Sequence, residues 1–130
     1  MNQGGFLSII RRIVPLLLLA PMACAPPPDE RHAMPGADAA QGLVVIERAG
    51  CGACHTIPGL AWPEGRVGPE LAGIAEQSLI AGQLPNRPAV LAAFVRNAPA
   101  LLPRSTMPAM PISEDESRDV AAYLYSLADR

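Results

Sequence analysis

The pentapeptide CGACH at residues 51–55 constrains this chain most strongly, because it places two thiols and an imidazole on little more than one helical turn. Cys51 and Cys54 are three positions apart, and His55 follows directly. This spacing is typical of covalent haem attachment, in which each thiol adds to a vinyl group and the histidine binds the iron. We therefore predict one haem c, attached at Cys51 and Cys54, with His55 as the proximal iron ligand.

Three other uses of a CxxC pair are less consistent with the surrounding sequence. A thioredoxin-like motif needs a strand before it and a helix after it, but a Gly- and Pro-rich segment follows at residues 56–73. A structural zinc site needs four ligands, and outside the motif only Cys24 and His32 remain as cysteine or histidine. A disulfide between the two motif cysteines would leave the adjacent histidine without a role.

Residues 1–23 have the order of a secretory signal peptide. Arg11 and Arg12 precede an apolar run at residues 13–20, which ends in small residues. A membrane-spanning helix needs about 20 apolar residues, whereas this run is shorter and contains Pro15. We therefore expect the protein to be exported with removal of residues 1–23.

Cys24 follows the apolar run directly and is the odd cysteine of three. Its surroundings resemble a bacterial lipoprotein signal, whose cysteine is acylated, although Pro21 stands where leucine is usual. A discarded signal residue and a free thiol are the alternatives. Residues 24–36 are rich in proline and charge and are predicted to form a flexible tether. A lipid-anchored protein on the periplasmic side of a bacterial membrane is thus expected.

The composition agrees with a small domain built around a prosthetic group. Half of the residues are apolar but only 4% are aromatic, and 15 are proline, so few bulky side chains are present to fill a core. All basic residues are arginines, they form no cluster after the signal, and the net charge is −2. Nucleic-acid binding is disfavoured, since it requires concentrated positive charge.

The helical periodicity predicts an all-α domain over residues 37–130 with three main helices. Asp38 and Gln41 form a candidate capping pair for the first helix, which Gly50 ends. No segment alternates like a strand, and residues 56–73 and 83–87 are predicted to be loops. The second helix should begin at Pro88 and end before Pro99, and its apolar side comprises Leu91, Phe94, Val95 and Ala98.

The last helix should begin with a capping box at Ser113. Its buried apolar stripe should comprise Val120, Leu124 and Leu127.

A second axial ligand could come from the loop before the last helix. Met107 and Met110 both lie there among prolines, which limit backbone freedom. A thioether is a soft ligand that raises the haem reduction potential, as suits an electron carrier. Core filling is the commoner use of methionine, and the residues alone leave both methionines as candidates.

With these elements in place, residues 37–128 resemble class I cytochrome c. In that family the first and last helices cross at a glycine–aromatic contact, and Gly42, Ile46 and Tyr123 match this pattern, with isoleucine in place of an aromatic residue. The resemblance implies a small cytochrome c fold, in which three main helices and loops surround one haem. Segments 67–71 and 80–86 are further similar to the cytochrome c domain fused to subunit II of bacterial haem-copper oxidases.

The same resemblance assigns pocket residues. Gly68 and Pro69 match a Gly-Pro pair whose proline carbonyl accepts a hydrogen bond from the ligand histidine. Trp62 and Arg66 are candidates for hydrogen bonding to a haem propionate by position, with a solvated loop arginine as the alternative.

The methionine loop also follows the family pattern. The sequence TMP at residues 106–108 matches the context of the family's iron-binding methionine, so Met107 is preferred over Met110 as the distal ligand.

The resemblance implies a one-electron carrier rather than an enzyme. It would accept electrons from a donor such as a quinol-oxidising complex and pass them to a terminal oxidase or similar acceptor. The all-arginine, mildly acidic composition favours docking through a small apolar patch around the haem edge. An electron-transfer subunit of a periplasmic oxidoreductase complex is the alternative. A haem peroxidase is disfavoured, since no histidine follows His55, and a five-coordinate gas sensor usually has its CxxCH near the end of the domain.

Overall fold

The computed structural model describes residues 30–129, and the predicted signal peptide and Cys24 lie outside this range. Helices dominate the described part, as predicted, and three of the α-helices are long. Single 3-10 turns occur at Glu30–His32, Cys51–Ala53, Ile74–Glu76 and Leu127–Asp129. The α-helices of the described residues are α1 (Ala39–Ala49), α2 (Pro88–Arg96), α3 (Ala98–Leu101) and α4 (Glu114–Ser126).

Helix α1 begins and ends where the sequence predicts, but its first turn has a different partner. Asp38 Oδ1 accepts hydrogen bonds from the N–H groups of Ala40 and Gln41 at 2.8 and 3.2 Å, and Gly50 ends the helix with a φ of 73°. The backbone N–H of Asp38 donates to Asp119 Oδ1 at 2.7 Å, so the reciprocal cap comes from α4 and not from Gln41. The start of α1 is therefore fixed by a distant helix.

Helices α1 and α4 cross at Gly42, as the family pattern implied. A Cβ atom added to Gly42 would lie 2.9 Å from the Cβ of Tyr123 and would collide with the carbonyl oxygen of Asp119. Ile46 and Tyr123 are buried beside this contact. Arg48 Nη2 pairs with Glu116 Oε1 at 2.6 Å across the same crossing. The close approach of the two backbones thus depends on the missing side chain.

Helix α4 has the predicted capping box. Glu116 N–H donates to Ser113 Oγ at 3.1 Å, and Ser113 N–H donates to Glu116 Oε2 at 2.8 Å. The Ser113 N–H bond, followed by the Arg48 guanidinium, lowers the pKa of Glu116 below its usual value. The predicted apolar stripe is buried, and it comprises Val120, Leu124 and Leu127.

The second predicted helix is divided in two. Helix α2 ends at Arg96, and Asn97 begins α3, where its Oδ1 accepts a hydrogen bond from Ala100 N–H at 3.3 Å. Pro99 lies in the first turn of α3, where a missing N–H leaves no partner unsatisfied. The prediction that Ala98 continues α2 is therefore wrong, although its side chain is buried.

A short hairpin lies in a region that the sequence assigned in part to a loop. Strands β1 (Leu79–Ile80) and β2 (Leu84–Pro85) pair antiparallel, with Ile80 opposite Leu84. Residues 81–83 form the turn, in which Ala81 and Gly82 have positive φ values of 49° and 68°. Two-residue strands are too short to show an alternating pattern, which is why periodicity did not reveal them.

The packed part of the chain begins before residue 37. Met34, which the sequence assigned to the tether, packs against the hydrophobic core. Arg118 Nη2 donates to the carbonyl oxygen of Pro35 at 2.7 Å. Within residues 30–129, no helix is both long enough and apolar enough to cross a bilayer.

Candidate haem site

The two motif cysteines lie on one turn at the end of α1. After Gly50 reverses the chain, the N–H groups of Cys54 and His55 both donate to the carbonyl oxygen of Cys51, at 3.2 and 3.0 Å. Cys51 is half-buried and Cys54 is exposed, and neither is in a disulfide. Burial is the main cause that raises the pKa of the Cys51 thiol. The turn therefore places both cysteines at one end of α1.

The His55 imidazole is held in one orientation. Its Nδ1 lies 2.7 Å from the carbonyl oxygen of Pro69, the contact that the resemblance implied. Because a carbonyl only accepts, Nδ1 carries the proton and Nε2 keeps its lone pair for a metal. A Cβ added to Gly68 would lie 2.7 Å from Nδ1 and 2.9 Å from Nε2, so the residue beside the ring has to be glycine.

Main-chain hydrogen bonds fold the following loop back onto the motif. Thr56 Oγ1 also donates to the carbonyl oxygen of Gly65 at 3.2 Å. Added Cβ atoms at Gly52 and Gly65 would meet backbone atoms of this loop and of the motif. The main-chain bonds are Gly65 N–H to Gly52 O at 2.7 Å, Gly68 N–H to Cys54 O at 2.8 Å and Leu71 N–H to Thr56 O at 3.0 Å.

Sequence reasoning did not single out Gly52 and Gly65 as site residues. Gly65 lies in a Pro- and Gly-rich loop and Gly52 lies between the two motif cysteines, and nothing in either local sequence distinguishes a turn-forming glycine from a close backbone approach. Only the spatial proximity of the loop to the motif shows why these two positions lack a side chain.

The two candidate methionines differ in their surroundings. Met107 packs against the hydrophobic core, and Ser105 Oγ accepts a hydrogen bond from its N–H at 3.2 Å, which orders the loop. Met110 is instead tied to α2, because its N–H donates to the carbonyl oxygen of Arg96 at 2.9 Å. Met107 is therefore the methionine whose backbone is ordered independently of α2 and whose side chain lies against the core.

Trp62 and Arg66 lie on the surface of the loop. The Trp62 side chain is 83% exposed, and within residues 30–129 neither side chain has a hydrogen-bond partner. Their propionate contacts stay a prediction.

The side chains at the motif fit a covalent haem c. Two thiols on one turn and an imidazole with an available Nε2 are the groups that covalent attachment and proximal ligation of such a haem require. The missing side chain of Gly68 lets the main chain pack directly against the imidazole. When bound, the haem supplies reversible one-electron chemistry. The polypeptide holds the group and orients the ligand imidazole.

Comparisons with known proteins agree with this geometry. The Cytochrome c family model matches residues 39–128. The fold is similar to a chain of a solved structure described as the crystal structure of SoxXA from P. pantotrophus, with 21% sequence identity and a TM-score of 0.55. That similarity covers 70% of this chain and 82% of the other. No curated protein matches this sequence.

The family match spans both halves of the site, from the helix before the CxxCH motif to the terminal helix that crosses it. Covalent attachment of haem c at Cys51 and Cys54 follows from the motif and the family together. The chain belongs to the cytochrome c family and is a haem electron-transfer protein.

Proposed function

We propose that this protein is a one-electron carrier of a bacterial respiratory chain, and that it passes electrons towards a terminal oxidase or a similar acceptor. The fixed imidazole of His55 supports this role, because a ligand held at 2.7 Å by Pro69 needs little rearrangement when the charge of a bound haem changes. Small rearrangement is what a carrier requires, whereas catalysis at iron requires an open position.

His55 and Met107 form the proposed axial pair. His55 has its Nε2 available, and Met107 lies on a loop that Ser105 orders. A histidine–methionine pair raises the reduction potential into the range of electron carriers. A visible spectrum with a redox titration of the haem-loaded protein tests this pair, and a six-coordinate low-spin haem with a positive potential is expected.

Two matched variants assign the distal ligand. Met107→His should abolish the weak sulfur-to-iron charge-transfer band and lower the midpoint potential, because imidazole favours oxidised iron more than a thioether does. Met110→Leu should leave both unchanged. Loss of the band in the Met110 variant alone would reverse the assignment.

Redox partners are proposed to dock through an apolar patch on the loop after the CxxCH motif. Trp62 and Val67 are 83% and 86% exposed on this loop. The protein carries no lysine and has a small net charge of −2, so a strong positive docking ring is absent from its sequence. Electron transfer to the partner should depend weakly on ionic strength, and a steep dependence would contradict this surface.

A second candidate function is that of an electron-transfer subunit in a periplasmic oxidoreductase complex. It is favoured by the similarity in fold to a chain of SoxXA. Purification of the native protein under mild conditions distinguishes the two, because a subunit would elute with a partner in fixed stoichiometry and a free carrier would elute alone.

Residues 1–24 are proposed to direct export and to supply a lipid anchor at Cys24 on the periplasmic side of the membrane. The sequence order of arginines, apolar run and cysteine supports this. Metabolic labelling with a fatty acid should mark the wild-type protein and not Cys24→Ser. Equal labelling of both would remove the anchor from the proposal.

A further inference from the structure

The segment before α1 is docked on the domain, although its sequence predicts a tether. We call residues 30–36 the strap. The His32 ring stacks on the Tyr125 ring with centroids 4.2 Å apart and an interplanar angle of 22°. Met34 packs against the core, and Pro35 accepts the 2.7 Å hydrogen bond from Arg118. The strap thus runs along α4 with contacts at both of its ends.

The surface under the strap is itself held in place. Tyr125 O–H donates to Asn86 Oδ1 at 2.8 Å, and Asn86 Nδ2 donates to the carbonyl oxygens of Ile74 and Gln77 at 2.6 and 2.8 Å. Burial raises the pKa of Tyr125 to about 12, so this hydroxyl remains a hydrogen-bond donor well above neutral pH. His32 therefore stacks on a ring that other parts of the fold have already fixed.

The strap lies on the side of α4 away from the haem motif. Tyr123 and Tyr125 are two positions apart, which is about 200° around a helix. Tyr123 O–H donates to the carbonyl oxygen of Pro58, in the loop after the motif, at 2.6 Å. Tyr125 faces the strap instead. The chain then enters α1 at the end opposite Cys51, about 16 Å away at about 1.5 Å per residue.

We infer that the strap sets the side from which the N-terminal segment leaves the domain, and so turns the haem motif away from the anchoring point. With the strap docked, residues 24–29 can span at most about 20 Å, against about 45 Å for residues 24–36 if all were extended. The domain is then held close to its anchor with the loop of residues 56–71 facing outwards to partners. The membrane part of this inference rests on the lipid anchor proposed above.

Hydrogen exchange of the full-length, haem-loaded protein tests the strap without reference to a membrane. The Ala37 N–H donates to the carbonyl oxygen of Met34 at 3.1 Å, so its exchange reports docking, while the Gly42 N–H in α1 reports the domain. We expect His32→Ala with Arg118→Gln to speed exchange at Ala37 by about tenfold or more and to leave Gly42 unchanged.

The control is Arg96→Gln, since Arg96 lines a surface cavity together with Arg118 and the strap residues Met34 and Pro35 but pairs with Glu114. This control should leave the exchange rates of both amides unchanged. The visible spectrum should be the same in every variant. Docking of the strap would be contradicted if the Ala37 amide of the wild type exchanged at the rate of an unstructured peptide. It would also be contradicted if this amide exchanged equally fast in the wild type and the double variant.

Vesicles with a nitroxide on the lipid headgroup test the orientation. A paramagnetic ferric haem enhances nitroxide relaxation at short distance, so the membrane-bound double variant should give a larger enhancement than the wild type. Equal enhancement would overturn the orienting role, even where hydrogen exchange supports docking. If neither protein binds vesicles, the lipid anchor and the membrane part of the inference are both wrong. Docking of the strap is then decided by the hydrogen-exchange result alone.

Discussion

The crossing of α1 and α4 and the loop of residues 56–71 both require glycine, but for different reasons. At the crossing, Gly42 lets two helices approach, and buried side chains such as Ile46 supply the stabilising contact. In the loop, Gly65 and Gly68 let the main chain return to the motif, and backbone hydrogen bonds supply the contact. The crossing therefore contributes mainly to the stability of the whole domain, whereas the loop positions the residues of the site.

The largest effect should come from Gly42→Ala. The new methyl group would collide with the Asp119 carbonyl and the Tyr123 side chain and would force the two helices apart. We expect a loss of about 3 kcal/mol in the free energy of unfolding, as for severe overpacking. Guanidinium unfolding followed by circular dichroism measures it, with the exposed substitution Gln41→Ala as control. Equal stabilities of the two variants would show that the crossing tolerates a side chain.

Gly68→Ala should disturb the geometry of the site while leaving the helices intact. Its methyl group would press on the His55 ring and weaken the bond from Nδ1 to Pro69. We expect a cost of about 2 kcal/mol with normal helix content, and a shifted midpoint potential and altered visible spectrum. The exposed neighbour Val67→Ala should change none of these. An unaltered spectrum in Gly68→Ala would mean that the loop does not position the imidazole.

Tyr123→Phe tests the link between the two regions. The ring belongs to the crossing, while its hydroxyl donates to Pro58 in the loop. Removing the hydroxyl should cost about 1.5 kcal/mol because a carbonyl loses its partner, and should speed amide exchange in the loop more than in α1. Uniform acceleration in both regions would indicate that the crossing itself had been disturbed.

Tyr125→Phe should give the smallest effect, and one that depends on pH. Burial raises the pKa of Tyr125 from 10.0 to about 12, so its stabilising contribution is complete below the unfolded value and is lost as pH rises through the folded value. The variant should not show this decline in stability. At neutral pH it should be about 1 kcal/mol less stable than the wild type, because the hydrogen bond to Asn86 is missing. Parallel stability curves for both proteins up to pH 12 would contradict the shift.

Local chemistry made much of the chain predictable. The CxxCH motif, the Asp38 cap, the stop at Gly50 and the capping box at Ser113 depend on residues within a few positions of one another. Such signals are present in the sequence because the interacting groups are close along the chain. They placed the ends of α1 and the start of α4 and identified the haem attachment residues.

The site beyond the motif was predicted in part. Gly68 and Pro69 came from family resemblance, and the structure places the Pro69 carbonyl at the His55 ring. The roles of Gly52 and Gly65 were not visible, because a close approach between segments leaves no trace in the spacing of either.

The sequence by itself determined the cofactor chemistry, both ends of α1 and the start of α4. Only the tertiary structure decided the contacts between distant segments, namely Asp119 at the start of α1 and the strap against Tyr125, and only it showed that Asn97 divides α2 from α3. The strap looked like a tether because proline and charge predict one when no partner surface is known. Its packing depends on a surface that forms only after α2 and α4 have come together, so no local pattern encodes it.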